Sequence, residues 1–534
     1  MKQSKLQAST MIEDLRHPML ASTKLTVQKP VGPVQPNPTL LKIQQNFDFV
    51  ERMKTLVVGK RPTAESGAFD LVRLLSMCWV VMAHQFSQRG LNLADDLLSK
   101  YKITREANDW NITFMQQGFY AVDFFLFMGG FVGIISLKRI VFDFKNEPRW
   151  KLPILYVFLF VKRYARILPT MGVVILFTVC VLPIISLEYP TNQYIGAGKW
   201  PEMFWQSWTL FYGYDISAGP KTLNCGWFWY LTVDFQCFLL VPIILMCAMV
   251  NRWLGIGCSV SLLVASITYG MWQSMSVPIY GTMSDPNWMQ KYYFNPLARA
   301  CVYFCGTTVA LMTLPSDKPA PKPQVTTNRP DQVTPKVIVG TGNDYEVRPT
   351  ETEHSKISKT RRVGAAKGKL FLIGAVCLVI VLGNFYILHY YFQIGRSPTL
   401  VPSLLLNALY TTFGKIIFVT AVMALLITIS HVNIEFPKTI ANSATIQLIG
   451  NLSFSIYCWH YAILFWSCNS NQTNTPYLDY YYYGCFMWIF VVTLVPACWT
   501  SLVIEFPLGD LWRLVEAPAL RIMKGKREVQ EKVK

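Results

Sequence analysis

The chain has 534 residues, of which 52% are hydrophobic and only 15% charged, with a formal net charge of +18. Soluble domains carry roughly a quarter charged residues, and the apolar residues here fall in long runs. This excludes a soluble globular enzyme, and the lack of short alternating segments excludes a transmembrane barrel. The positive charge lies in loops and tails between the runs, where it orients helices and meets anionic lipid. No basic and aromatic face suited to nucleic acid is present.

The fold class is therefore all-α, a polytopic bundle of about ten membrane helices of some 20 apolar residues each. Residues 1–66 read as a polar, disordered tail, with Pro30, Pro33, Pro36 and Pro38 breaking any helix. The expected spans are 68–88, 118–137, 167–187, 227–250, 253–272, 297–314, 369–388, 411–430, 445–467 and 484–504. A basic amphipathic connector, Lys138 to Arg166, joins the second and third. The stretch 315–367, rich in Pro, Lys and Thr, reads as a disordered loop dividing the membrane domain into halves at 67–314 and 368–510. Residues 511–534 form a basic tail. Lys and Arg concentrate in both tails, the connector and the long loop, so the positive-inside rule makes that side cytosolic. The sequons at Asn111 and Asn471 fall on outer loops in that orientation. The thirteen cysteines show no metal-binding spacing. Cys225, Cys468 and Cys485 fall near the outer side, where a disulfide is open to them.

Ionisable residues inside membrane helices are costly and mark functional sites by default. The first span carries Asp70, Arg73 and His84. Arg73 and His84 are eleven residues apart, close to three helical turns, so they share a face at roughly 16 Å axial separation. In the cytosol-in orientation Arg73 lies near the cytosolic surface and His84 in the outer half. Asp123 in the second span, Asp234 in the fourth and His460 in the ninth are expected at the same outer depth. A carboxylate beside an imidazole orients it as a general base. On the other side Arg163 and Arg166, at i,i+3 before Pro169, suit a phosphate or diphosphate. A phosphate-binding face linked by one helix to a His/Asp site fits a long donor with a phosphorylated head and a thioester arm, which describes acyl-coenzyme A.

Several motifs then resemble the membrane acyltransferase 3 family. Arg73 and His84 match its first-helix pattern, and VDFFLFMGGFVGII with Asp123 is similar to its second helix. Arg163-Tyr-Ala-Arg166 before Ile-Leu-Pro169 resembles its cytosolic Arg element. CGWFWYLTVDFQ, with Tyr230, Asp234 and Gln236, resembles the fourth helix of the eukaryotic nose-resistant-to-fluoxetine branch. LIGNLSFSIYCWHYAI, with Ser453, Tyr457 and His460, and a closing motif with Glu505 and Pro507 complete the set. Animal members of that branch carry a Cys-rich outer domain before the first core helix; a polar tail stands there in this chain.

The resemblance implies a multi-pass protein of the plasma membrane or endomembranes, surrounded by lipid. It would move an acyl group from cytosolic acyl-CoA, acetyl-CoA first among the candidates, to a hydroxyl on a carbohydrate, lipid or small molecule at the outer or lumenal side. No metal is implied. His84, Asp123, Asp234 and His460 are the expected catalytic residues, and Arg73, Arg163 and Arg166 the donor-binding ones. Whether His84 deprotonates the acceptor or accepts the acyl group itself stays open. The competing expectation is a transporter using the same polar core without acyl transfer, since intramembrane His and Asp also suit proton relays.

Overall fold

The computed structural model describes residues 48–58, 64–86, 114–115, 118–185, 208–210, 226–276, 289–314, 370–384, 386–387, 403–431, 439, 443–469 and 479–525. Among them the regular secondary structure is entirely helical. In chain order the helices are α1 (Phe49–Val58), α2 (Ala64–Gln85), α3 (Phe119–Phe142), α4 (Lys151–Ile185), α5 (Trp229–Phe238), α6 (Val241–Val250), α7 (Arg252–Ser276), α8 (Pro296–Thr313), α9 (Leu370–Asn384), α10 (Leu404–His431), α11 (Ala444–Asn469), α12 (Asp479–Thr500) and α13 (Phe506–Lys524).

Eight helical stretches among the described residues are long and apolar enough to cross a membrane, and they coincide with eight of the ten expected spans. The other two are also helices. α8 falls below the hydropathy of a span because protein covers it on nearly every side, with α3, α5, α7 and α10 packed around it. A helix without a lipid-facing stripe can carry Arg299, Thr307 and Thr308. α9 is short, and joins α10 through a bond from Asn384 Nδ2 to the Gly414 carbonyl at 3.1 Å. Around the bundle, side chains such as Val495, Trp272 and Val264 point outward, as a hydrocarbon solvent permits.

Three expected boundaries differ. The Lys138–Arg166 connector is instead the end of α3, a short turn over 143–150 and the first half of α4. The sequence there is basic on one side, but Leu155 and Leu159 on the other side are fully buried, so packing carries the helix through it. Inside the expected N-terminal tail, α1 forms. Asp48 Oδ1 caps it at the Val50 N–H (3.0 Å), Leu56 is buried, and Arg52 pairs with Asp510 at 2.8 Å. Inside the expected C-terminal tail, α12 continues through a π-turn at Ser501–Glu505 into α13, which is helical to Lys524. The sequons at Asn111 and Asn471, Cys225, and the 315–367 loop lie outside the described residues, and Cys485 is a free thiol.

Small residues let the helices touch backbone to backbone, the usual membrane packing device. A Cβ on Gly130 would run into the Tyr303 carbonyl of α8, and one on Gly306 into the Phe127 carbonyl of α3. This reciprocal contact joins α3 to α8. A Cβ on Gly257 of α7, by contrast, meets nothing within 4 Å. The same chemical change should therefore have opposite effects at the two sites. Gly306→Ala forces two backbones apart and should lower the thermal midpoint in detergent, at an overpacking cost of about 1–3 kcal/mol. Gly257→Ala should hold or raise it, by up to about 1 kcal/mol of helix propensity. Equal midpoints for both variants would contradict the close α3–α8 contact.

Candidate functional site

α2 and α11 lie side by side. At one end Gly450 of α11 faces Asp70 of α2 so closely that a Cβ would stand 2.8 Å from the Asp70 Cβ. Asp70 is fully buried and accepts from Arg73 Nη1 at 2.9 Å. At the other end His84 Nδ1 lies 2.9 Å from His460 Nε2, with the two ring planes 16° apart. His84 is half-buried, whereas His460 has no exposed surface.

The hydrogen bonds fix the tautomers. His460 Nδ1 faces the Tyr457 carbonyl at 2.6 Å. A carbonyl only accepts, so His460 Nδ1 carries the proton and the Nε2 of the neutral ring accepts. His84 Nδ1 must then donate, which leaves the His84 Nε2 lone pair unprotonated. Tyr461 meets His84 and His460 edge-on at 4.9 and 5.9 Å. Trp227, just before α5, stacks on Tyr461 at 5.0 Å. Trp227 Nε1 donates to the Cys458 carbonyl at 3.0 Å, and the Tyr457 hydroxyl donates to the Trp227 carbonyl. The turn of α11 that carries His460 is thus held in both directions by the entry to α5.

The arginines form a second group. Arg163 of α4 is ion-paired with Asp234 of α5 and lies 5.0 Å from the Phe238 ring. Gly129 of α3 makes room for Asp234, whose Oδ1 it faces. That oxygen and the Tyr303 hydroxyl are buried without a hydrogen bond among the described residues. Arg166, one turn along from Arg163, is exposed and makes no ion pair of its own among the described residues. Arg163, Glu505, Arg73 and Arg513 all lie within its electrostatic reach. Glu505 ends the π-turn, and its Oε2 accepts from Ser455 Oγ at 2.9 Å and Ser501 Oγ at 3.1 Å. Single π-turns recur at functional sites.

The four residues expected at one outer depth divide. The histidines meet each other, but each aspartate takes an arginine. Asp234 lies two turns beyond Trp227, about 10 Å along the helix axis, which brings it to Arg163 and away from the histidines. Asp123 is fully buried 3.3 Å from Arg299 Nη2. Arg299 lies over the Tyr293 ring at 4.6 Å, while Lys415 donates to the Ala298 carbonyl at 3.0 Å and lies 4.4 Å from the Tyr292 ring. A guanidinium answers a buried carboxylate's charge better than an imidazole does, although neither Asp123 oxygen makes a hydrogen bond among the described residues. Sequence reasoning passed over Arg299 and Lys415, although both are ionisable residues in apolar runs and the same rule marks them. It also passed over Arg513, which the basic tail conceals.

The comparisons with known proteins place the chain in a family. A family profile described as an acyltransferase domain matches residues 66–509, across both halves of the bundle. Nose resistant to fluoxetine protein 6 of Caenorhabditis elegans is 24% identical over 298 residues, which is 52% of this chain and 35% of the relative. The chain thus matches about a third of that relative's length. No solved structure matches. From α2 to the first turn of α13, the chain belongs to the acyltransferase 3 family of integral membrane proteins.

Proposed function

We propose that the protein is a membrane O-acyltransferase that takes an acyl group, acetyl in the simplest case, from acyl-CoA and gives it to a hydroxyl acceptor. The observation that carries this is the His84–His460 contact, which leaves one half-buried imidazole nitrogen as a free base. Arg73, Arg163 and Arg166 would hold the diphosphate of the donor. Arg73 and Arg163 each keep a carboxylate on one edge, and a guanidinium has five N–H donors, so further edges remain for phosphate. The roughly 16 Å along α2 between Arg73 and His84 is spanned by the thioester arm. In the orientation set by the basic loops, the donor enters from the cytosol and the acceptor from the outer or lumenal side.

In the reaction, the acceptor hydroxyl gives its proton to His84 Nε2 while its oxygen attacks the thioester carbonyl. The C–S bond breaks, and the departing thiolate recovers that proton from His84. Throughout, His84 Nδ1–H stays on His460 Nε2, so His460 holds the ring in orientation and need not change protonation. His460 is a positioning residue in this scheme, and Asp123 and Asp234 act on the scaffold and the arginines, not on the reacting atoms.

The test follows free CoA released from labelled acetyl-CoA, with acyl label traced into lipid and carbohydrate extracts of the same membranes. His84→Ala should lower turnover by about 10²–10⁴-fold, the range for general acid–base catalysis, and should still be stabilised by CoA. His460→Ala should cost less, on the order of tenfold, because the base survives without its orienter. Turnover equal to wild type in His84→Ala sinks the catalytic reading. Saturating CoA at a hundred times its Kd stabilises a protein by about 2.7 kcal/mol. Arg163→Ala with Arg166→Ala should abolish that shift in melting temperature, and an unchanged shift would remove the arginines from the donor site.

The buried Asp123, Arg299 and Lys415 set, unused in this chemistry, favours the second reading, a transporter with an ionisable core. Solute flux into sealed vesicles without any acyl donor, lost in Asp123→Asn and kept in His84→Ala, would establish it.

A further inference from the structure

α4 and α13 run antiparallel in a register set by two contacts. Lys151 Nζ donates to the Lys524 carbonyl at 3.0 Å, and Lys162 pairs with Glu516. One turn beyond Lys162 on α4 is Arg166. One turn before Glu516 on α13 is Arg513, with 80% of its side chain exposed. The register therefore brings these two cations to one level. Arg513 pairs with Asp510 at 2.9 Å, but Asp510 gives its other oxygen to Arg52 of α1 at 2.8 Å, so Arg513 holds only one edge of a shared carboxylate. Four guanidinium groups from three helices, Arg73, Arg163, Arg166 and Arg513, thus gather at one end of the bundle. Asp70, Asp234 and the shared Asp510 pair with three of them and Glu505 lies near Arg166, but each guanidinium has five N–H donors, so edges remain for an incoming anion.

A diphosphate uses the inner three. Coenzyme A carries one more phosphate, the monoester on its ribose, at the solvent end of the molecule. We propose that Arg513 binds this 3′-phosphate and makes the protein selective for acyl-CoA over donors that share only the phosphopantetheine arm. The proposal rests on the acyl-CoA reading above. It places the charge-poor arm inside the bundle and the last phosphate at the exposed rim, the order in which charge and burial are found along Arg163, Arg166 and Arg513. The same chemistry could be supplied by an anionic lipid headgroup, so the experiment separates the two sources.

Wild type, Arg513→Ala and Arg513→Lys, each full length, are assayed in phosphatidylcholine vesicles with acetyl-CoA and with acetyl-3′-dephospho-CoA. Wild type is expected to favour acetyl-CoA by about ten- to a hundredfold in kcat/KM, the worth of a charge-assisted bond. Arg513→Ala should raise KM for acetyl-CoA about tenfold and leave kcat and the dephospho substrate unchanged. Arg513→Lys should recover part of the preference, since it keeps the charge but not the fork. Equal use of both thioesters by wild type, or an equal fall with both in Arg513→Ala, overturns the proposal. So does an Arg513→Ala defect seen only when phosphatidylserine is added, which would assign the residue to lipid. Turnover of neither thioester by wild type overturns the acyl-CoA reading itself, and the proposal with it.

Discussion

α2 and α11 meet at both ends, by close packing at one and a hydrogen bond at the other, and the rest of the site is built on that pair. At one end Gly450 admits Asp70, which holds Arg73; at the other His84 meets His460. Because Arg73 and His84 share α2, the two contacts together hold α11, and with it His460, in place against both of them. α5 is then set by α11, through Trp227 and the turn Tyr457–Cys458. α4 is set by α5, through Arg163 and Asp234. His84 and Arg163 are therefore each positioned by a bond to another helix and not by a loop, which is the more rigid way to hold a site.

The bilayer explains why the charges come in pairs. Water is not at hand to solvate a carboxylate facing the interior of a membrane bundle, so it must find a cation or become neutral. Asp70, Asp123 and Asp234 are all essentially unexposed, and each has an arginine. Glu505 is different. It lies at a π-turn, takes two serine hydroxyls on one oxygen, and faces Arg166 without bonding to it. Arg166 is consequently the arginine of this group that remains most available to an incoming anion. The distribution of satisfied and unsatisfied cations, more than their number, decides where an incoming anion would meet least competition.

Much of this was legible in the sequence, for identifiable reasons. Spans announce themselves because lipid demands apolar runs, and Arg73 and His84 share a face because the helical period is fixed. The meeting of His84 with His460 was expected only as a common depth. The partners of the aspartates were not legible. Depth along a helix can be read from the chain, but the direction in which a side chain leaves it depends on neighbours far away in sequence. α8 was legible as a helix, but not as a helix enclosed by protein, which is why Arg299 went unnoticed. α1 and α13 went unread as helices for another reason: a short amphipathic helix has the same polar composition as a tail, and what its packing adds here is the contact of Arg52 with Asp510 and of Lys162 with Glu516.

The separation of Arg73 and His84 along α2 acquires a second rail in the structure. Between them on the same face Met77, Val80 and Val81 are buried, so α2 itself offers no open groove from one to the other. α5 crosses the same interval in the opposite sense, with Trp227 at the histidine level and Asp234 at the arginine level. Between these lies Tyr230, half-buried, 5.1 Å from the Tyr457 ring and within electrostatic reach of both Arg73 and Asp234. A thioester arm that starts at the arginines and ends at His84 has to pass this tyrosine. The distance between donor and acceptor chemistry is thus set by two antiparallel helices held in register through α11, and a change in that register on either helix would move one half-site past the other.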